Sequence, residues 1–216
     1  MTNFIITKIS PAVHSERRVN IFVDGAYSFS LDVAQMVDFK LKVGQQLSLS
    51  ELSDLKKASN FGKIYQRAIE YVLVRPRSIR EVKDYLKRKQ QLYVSPDNST
   101  SSISSQDIEN IIFRLIDKQY LDDKKFAEYY IVNRFHKKGI SQKRLQLELT
   151  KKGVDSAIIA EVFSNAPRDD ATEIKKIITK KRTRYSDDQK LIQYLVRQGF
   201  SYELACSSVR ETDSQN

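Results

Sequence analysis

Between Tyr120 and Gly153 apolar residues return every three or four positions. Phe126, Ala127, Tyr130, Ile131 and Phe135 share one face of a predicted helix, with Asp122 or Asp123 placed to cap its start. A second helix is predicted from Ser141. Its inner face carries Leu145 and Leu149, and Gly153 supplies the left-handed residue that ends it. A third helix follows Asp155 and carries Ile158, Ile159, Val162 and Phe163.

The pattern recurs on both sides. Ala127-x-x-Tyr130-x-x-x-Arg134 is matched upstream by Ala68-x-x-Tyr71-x-x-x-Arg75. Ser141-x3-Leu145-x3-Leu149 has counterparts in Ser78-x3-Val82-x3-Leu86 and Asp187-x3-Leu191-x3-Leu195. The third helix recurs after Asp107, with Ile108, Ile111, Ile112 and Leu115, and after Ser201, with Leu204, Ala205 and Val209. Gly153 and Gly199 stand 46 residues apart, but Leu86 and Leu149 stand 63 apart. The excess of 17 equals the length of the Ser- and Asn-rich stretch 90–106, read as a surface loop inserted in the first unit. A period near 46 built from three helices predicts a mainly α chain. Tandem three-helix repeats would form an elongated array, each unit burying one face against its neighbours.

The N-terminal residues follow period two instead. Val19, Ile21 and Val23 alternate, as do Tyr27, Phe29 and Leu31, around the tight-turn pair Asp24-Gly25. Phe4 to Ile9 reads as a third strand ended by Ser10-Pro11, residues 32–39 as a short helix, and Leu41 to Leu47 as an extended return. Ser48-Leu49-Ser50-Glu51 is a capping box opening a helix with Leu49, Leu52 and Leu55 inward, which Asn60-Phe61-Gly62 is expected to break or bend. Ser78 to Glu81 is a second capping box after Pro76. The expected division is therefore a small β-rich segment with a linking helix (1–61), repeats at 62–119, 120–166 and 167–211, and a disordered tail at 212–216.

Charge changes the picture by where it lies. The chain of 216 residues carries a net +10. Residues 56–106 and 124–153 each hold +7, whereas residues 1–55 hold −1. Such clustering suits a polyphosphate, whose condensed counterions are released on neutralisation, or an acidic protein groove. The candidate DNA- or partner-binding residues are Arg75, Arg77, Arg80, Lys83, Arg88, Arg134, Lys137, Lys138, Lys143, Arg144, Lys151, Lys152, Lys181 and Arg182. Arg75 and Arg134 recur at one place on the helix wheel, where each either pairs with a carboxylate or presents a bidentate guanidinium to phosphate. Charge reversal at Lys143, Arg144, Lys151 and Lys152 is expected to weaken partner binding and leave the fold intact.

Catalytic constellations are missing from the sequence. His14 and His136 lie apart, no phosphate-binding glycine loop occurs, and the Asp pairs at 122–123, 169–170 and 187–188 stand where aspartate caps a helix. The expectation is a non-enzyme without cofactor or metal. No apolar run is long enough to span a membrane, the N-terminus MTNFIITKIS has no signal-peptide layout, and the single Cys206 suits a reducing cytoplasm.

Arg75-Pro76-Arg77-Ser78, Tyr120-Leu121-Asp122-Asp123-x-x-Phe126-Ala127, Arg134, Lys138-Gly139 and Lys152-Gly153 resemble the motifs of the RecX recombination regulators. The likeness covers about residues 62–210. The first unit departs from it, since Lys89 is followed by Gln90 rather than glycine. The resemblance implies a cytoplasmic, monomeric protein whose repeats form an elongated curved array. It implies lying in the groove of the RecA–DNA filament and restraining ATP hydrolysis, strand exchange and repair, with non-specific binding to single- and double-stranded DNA. The competing expectation is a sequence-independent DNA-binding protein with helix-turn-helix-like repeats.

Overall fold

The computed structural model describes residues 3–13, 15–92, 104–135, 138–165 and 168–213. The alternating N-terminal residues form β1 (Phe4–Ala12), β2 (Ser15–Val23) and β3 (Ala26–Asp32). With the short β4 (Gln46–Leu47) they make an antiparallel sheet of order β3-β2-β1-β4. Asp24 and Gly25 take φ of 51° and 82°, the left-handed pair that a two-residue hairpin matched to strand twist requires. Ile6, Ile21, Phe29, Leu31 and Leu47 form the buried face. One expectation fails here. β1 continues through Pro11 to Ala12, with Pro11 opposite Val19. On its other side β4 reaches only Phe4 and Ile5, so at Pro11 the missing N–H costs no ladder bond.

The helix α1 (Val33–Asp38) starts at a capping box between Asp32 and Gln35. α2 (Leu49–Leu73) starts at the predicted one, where Ser48 Oγ accepts from the Glu51 N–H at 3.2 Å. Leu52 and Leu55 close the sheet's core, and Ser59 Oγ donates to the Ser30 carbonyl at 2.6 Å. Two expectations are corrected on this helix. Leu49 sits in the first turn, ahead of the stretch the sheet covers, and is 69% exposed. The helix also runs unbroken through Asn60-Phe61-Gly62. Gly62 makes room rather than a break: a Cβ there would lie 2.8 Å from Gln35 Oε1, and the Gln35 amide donates to the Ala58 carbonyl at 3.0 Å.

α3 (Ile79–Leu92) and α4 (Ser105–Asp117) follow, the latter capped by Ser104. Gln90–Leu92 therefore prolong α3, and Ser104–Gln106 open α4. The rest of the expected loop lies outside the described residues. α5 (Asp123–Asn133), α6 (Gln142–Lys151) and α7 (Ser156–Asn165) enclose Phe126, Ala127, Ile131, Leu145, Leu149 and Phe163. α8 (Asp170–Lys181), α9 (Asp188–Arg197) and α10 (Tyr202–Asp213) enclose a separate core of Ile174, Ile178, Leu191, Leu195, Ala205 and Val209. α10 takes in Thr212, expected in the tail, whose Oγ1 donates to the Ser208 carbonyl at 2.8 Å. The chain clusters into two compact units: Met1–Val74 with Val82–Tyr120, and Arg75–Glu81 with Leu121–Asn216. No helix among the described residues is long and apolar enough to cross a membrane.

Candidate partner-binding face and the joints behind it

Arg134 follows the last residue of α5 and turns back onto α6. Its Nε donates to Glu148 Oε2 at 2.7 Å, and the Tyr130 hydroxyl donates to the same oxygen at 2.7 Å. Burial pulls the Glu148 carboxyl upward, but the bonds from Arg134 and Tyr130 outweigh it and hold the group below the usual glutamate range. Burial and then the bond to Glu148 push the Tyr130 hydroxyl up to about 12. Arg75, at the matching position, pairs with Glu81 at 3.2 Å. Both arginines thus take the carboxylate-paired arrangement. Arg134 also lies over the Phe135 ring, 3.7 Å from its centroid.

The starts of α3 and α6 are each held by the repeat that follows. Ser78 Oγ accepts from the Glu81 N–H at 3.1 Å and donates to the Lys152 carbonyl at 2.8 Å. Ser141 Oγ accepts from the Arg144 N–H at 3.2 Å and donates to the Gln198 carbonyl at 2.6 Å. Each buried hydroxyl therefore caps one helix N-terminus and satisfies one helix C-terminus. The adjacent N–H groups are taken by aspartates: Ile79 donates to Asp123 Oδ1 at 2.8 Å, and Gln142 to Asp170 Oδ1 at 2.7 Å.

The Asp pairs thus divide their labour. Asp122 and Asp169 cap their own helices, while Asp123 and Asp170 cap the middle helix of the preceding repeat. Burial raises the carboxyl pKa of Asp123 and of Asp170, and the donated N–H offsets part of the rise. Side chains complete both joints. Lys152 Nζ reaches Glu81 Oε1 at 2.5 Å, and Arg144 Nη1 donates to Gln198 Oε1. The glycine after each of these C-terminal residues sits against the preceding repeat. A Cβ on Gly153 would lie 2.8 Å from Arg80 Cβ, and one on Gly199 would lie 2.6 Å from Ser141 Oγ.

These joints sort the predicted basic residues. Arg80, Arg88, Lys138, Lys143 and Lys151 are exposed. Lys83 pairs with Glu109 at 2.8 Å, and Arg182 with Asp188 at 2.5 Å. Arg144 and Lys152 belong to the joints, which separates them from Lys143 and Lys151 in the set whose charge reversal was expected to leave the fold intact. Arg77 is half-buried. Lys181 is half-buried over the Tyr194 ring, 5.9 Å from its centroid. Lys137 and His136 lie outside the described residues.

Where the α5–α6 turn meets α8 and α9 there is a cleft of about 530 Å³, lined by Phe135, Lys138, Arg144, Lys180, Lys181 and Tyr194 among others. Lys180, Tyr194 and Gln198 were not among the predicted residues. The recurrence of a polar residue before the helix-ending glycine, Lys152-Gly153 and Gln198-Gly199, is the signal that points to Gln198.

Comparison with known proteins gives one consistent answer. The family model described as the regulatory protein RecX N-terminal domain matches residues 4–48, and that of the second three-helix domain of RecX matches residues 122–162. The regulatory protein RecX of Bacillus licheniformis is 32% identical over 98% of this chain and 78% of its own length. That of Listeria monocytogenes serotype 4a is 29% identical over 97% of this chain and 76% of its own. Among solved structures, a regulatory protein RecX superposes with a TM-score of 0.72 over 93% of this chain and 96% of its own, at 23% identity, which speaks to the fold alone. RecX from Lactobacillus salivarius superposes with a TM-score of 0.52 over 72% of this chain and 98% of its own, at 29% identity.

Proposed function

This chain belongs to the RecX family of regulatory proteins, and from that premise we propose that it engages the RecA–DNA filament and restrains its ATPase and strand exchange. It acts in the cytoplasm, as a monomer and as a binding protein rather than an enzyme. The observation that carries this reading is the setting of the exposed cations. Arg80, Lys143 and Lys151 lie on middle helices whose starts are pinned by the next repeat, so positive charge is presented at fixed spacing. A partner with regularly spaced phosphates or carboxylates fits such a surface.

The same joints argue against base reading. Arg144, a residue type that would read bases from the start of α6, faces the following repeat through Gln198, and the neighbouring Gln142 backbone N–H is taken by Asp170. α7 and α10 open with Ser156-Ala157 and Tyr202-Glu203, which offer bases little. DNA binding, single- or double-stranded, is accordingly expected to be independent of sequence and to weaken steeply with salt. The test is RecA ATPase on single-stranded DNA with this protein added well below one per recombinase subunit. A loss of turnover larger than the fraction of DNA the protein occupies supports the filament reading. Inhibition that only tracks DNA occupancy reduces the chain to a general nucleic-acid binder.

A further inference from the structure

We propose that the cleft between the α5–α6 turn and the α8–α9 pair is a nucleotide-binding site, with the phosphates on its cations and the base against its aromatic wall. The assignment stands on the cleft alone and holds whether or not the chain regulates a filament.

Four cationic side chains, Lys138, Arg144, Lys180 and Lys181, line a single concavity. No carboxylate lines it among the described residues. A concave surface lined by cations focuses its field on an anion that enters it. The Arg144 guanidinium is oriented by Gln198 and by Glu148 at 3.5 Å, which aims a planar donor fork rather than a mobile charge.

The remaining wall selects the kind of anion. Phe135 and Tyr194 line it together with Ile140 and Ile177. Rings beside cations accept a base by stacking, whichever base it is. Tyr194 is braced from behind by Tyr185, with ring centroids 5.2 Å apart. Phe135 has a φ of 50°, a left-handed conformation that a bulky residue adopts at a cost and that recurs where a site requires it. The Gln198 amide adds a hydrogen-bonding edge. A cleft of about 530 Å³ lies in the range of small-molecule sites, roughly 300–1,000 Å³. An acidic peptide would use the cations but would leave the aromatic wall without a planar partner.

The experiment uses the full chain and two probes, a fluorescent ATP analogue and a fluorescent oligothymidylate, titrated by anisotropy at fixed salt. Two variants test the two halves of the cleft: Lys138→Gln with Lys181→Gln, and Tyr194→Leu. Circular dichroism melts identify any variant that has lost its fold, and the lysine pair, exposed or half-exposed, remains usable if Tyr194→Leu has. The expected result is at least a tenfold loss of nucleotide affinity in the lysine pair and about fivefold in Tyr194→Leu, with Lys42→Gln, an exposed lysine beside the sheet, unchanged. The probe that responds identifies the source, a free nucleotide or a unit of a single strand. The proposal is overturned if neither probe responds to the cleft variants. It is also overturned if polyglutamate of matched charge displaces the probe as well as ATP does and Tyr194→Leu makes no difference.

Discussion

At the scale of the residue, the economy of the joints lies in atoms that serve two helices at once. Ser141 Oγ caps α6 and satisfies the carbonyl at the end of α9, and Gly199 keeps a Cβ out of that space. Gly199 has a φ of 98°, so alanine there carries backbone strain as well as a 2.6 Å clash with Ser141 Oγ. Gly199→Ala is expected to destabilise the chain by about 2 kcal/mol or more, about 1–2 of it the left-handed backbone term. Ser141→Ala alone should cost about 1 kcal/mol as a lost cap. The two should be less than additive together, because removing the hydroxyl opens the space the new methyl needs. Urea denaturation of the four proteins measures this coupling. Strict additivity would show that the strain lies in the backbone alone.

At the scale of the element, Glu148 ties the end of α5 to the middle of α6 through Arg134 and Tyr130. Its folded pKa is depressed, so the stability it contributes is present above its unfolded value. That stability is lost as pH falls through the folded one, in the region below the ordinary 4.5. Glu81 behaves the same way. Asp123 and Asp170 have the opposite sign: their folded pKa values are raised, so their ionised forms weaken the fold, and that penalty disappears as they protonate. Glu148→Gln is therefore expected to lower the Tm at neutral pH and to flatten its decline below pH 4.5. A parallel decline in mutant and wild type would remove Glu148 from the acid limb.

The elements themselves were largely legible in the sequence, because their starts and faces are local. Ser48 with Glu51, the serine and aspartate caps and the buried leucines of α6 and α9 all act within a few residues. What escaped depends on distant neighbours. Asn60-Phe61-Gly62 reads as a break until the Gln35 side chain is seen to occupy the space that Gly62 leaves. The second aspartate of each pair reads as a further cap for its own helix. Its partner lies 44 residues upstream for Asp123 and 28 for Asp170, a separation that no hydrophobic period reports. The cleft is assembled from side chains of two repeats and was illegible for the same reason, although three of its cations were already singled out by charge.

At the scale of the whole molecule, the uneven distribution of charge becomes testable once the joints are known. Lys143 and Lys151 are exposed, whereas Arg144 and Lys152 hold a neighbouring repeat through Gln198 and Glu81. Lys143→Glu with Lys151→Glu is expected to weaken binding to single-stranded DNA and RecA filaments about tenfold or more. It should also reduce the salt dependence, with unchanged helicity and Tm. Arg144→Glu with Lys152→Glu is expected to lower the Tm as well. Equal thermal loss in both pairs would mean that the exposed lysines are part of the scaffold.

The joint also carries a sense of direction. A serine hydroxyl gives one hydrogen bond and takes another, so Ser78 and Ser141 each extend a hand forward while closing their own helix. At the third equivalent position stands Asp187, whose side chain accepts from the Gln189 and Lys190 N–H groups of its own helix. The link is one-way, like a ratchet whose pawl is a single hydroxyl: Ser78 and Ser141 each reach only the repeat that comes after them.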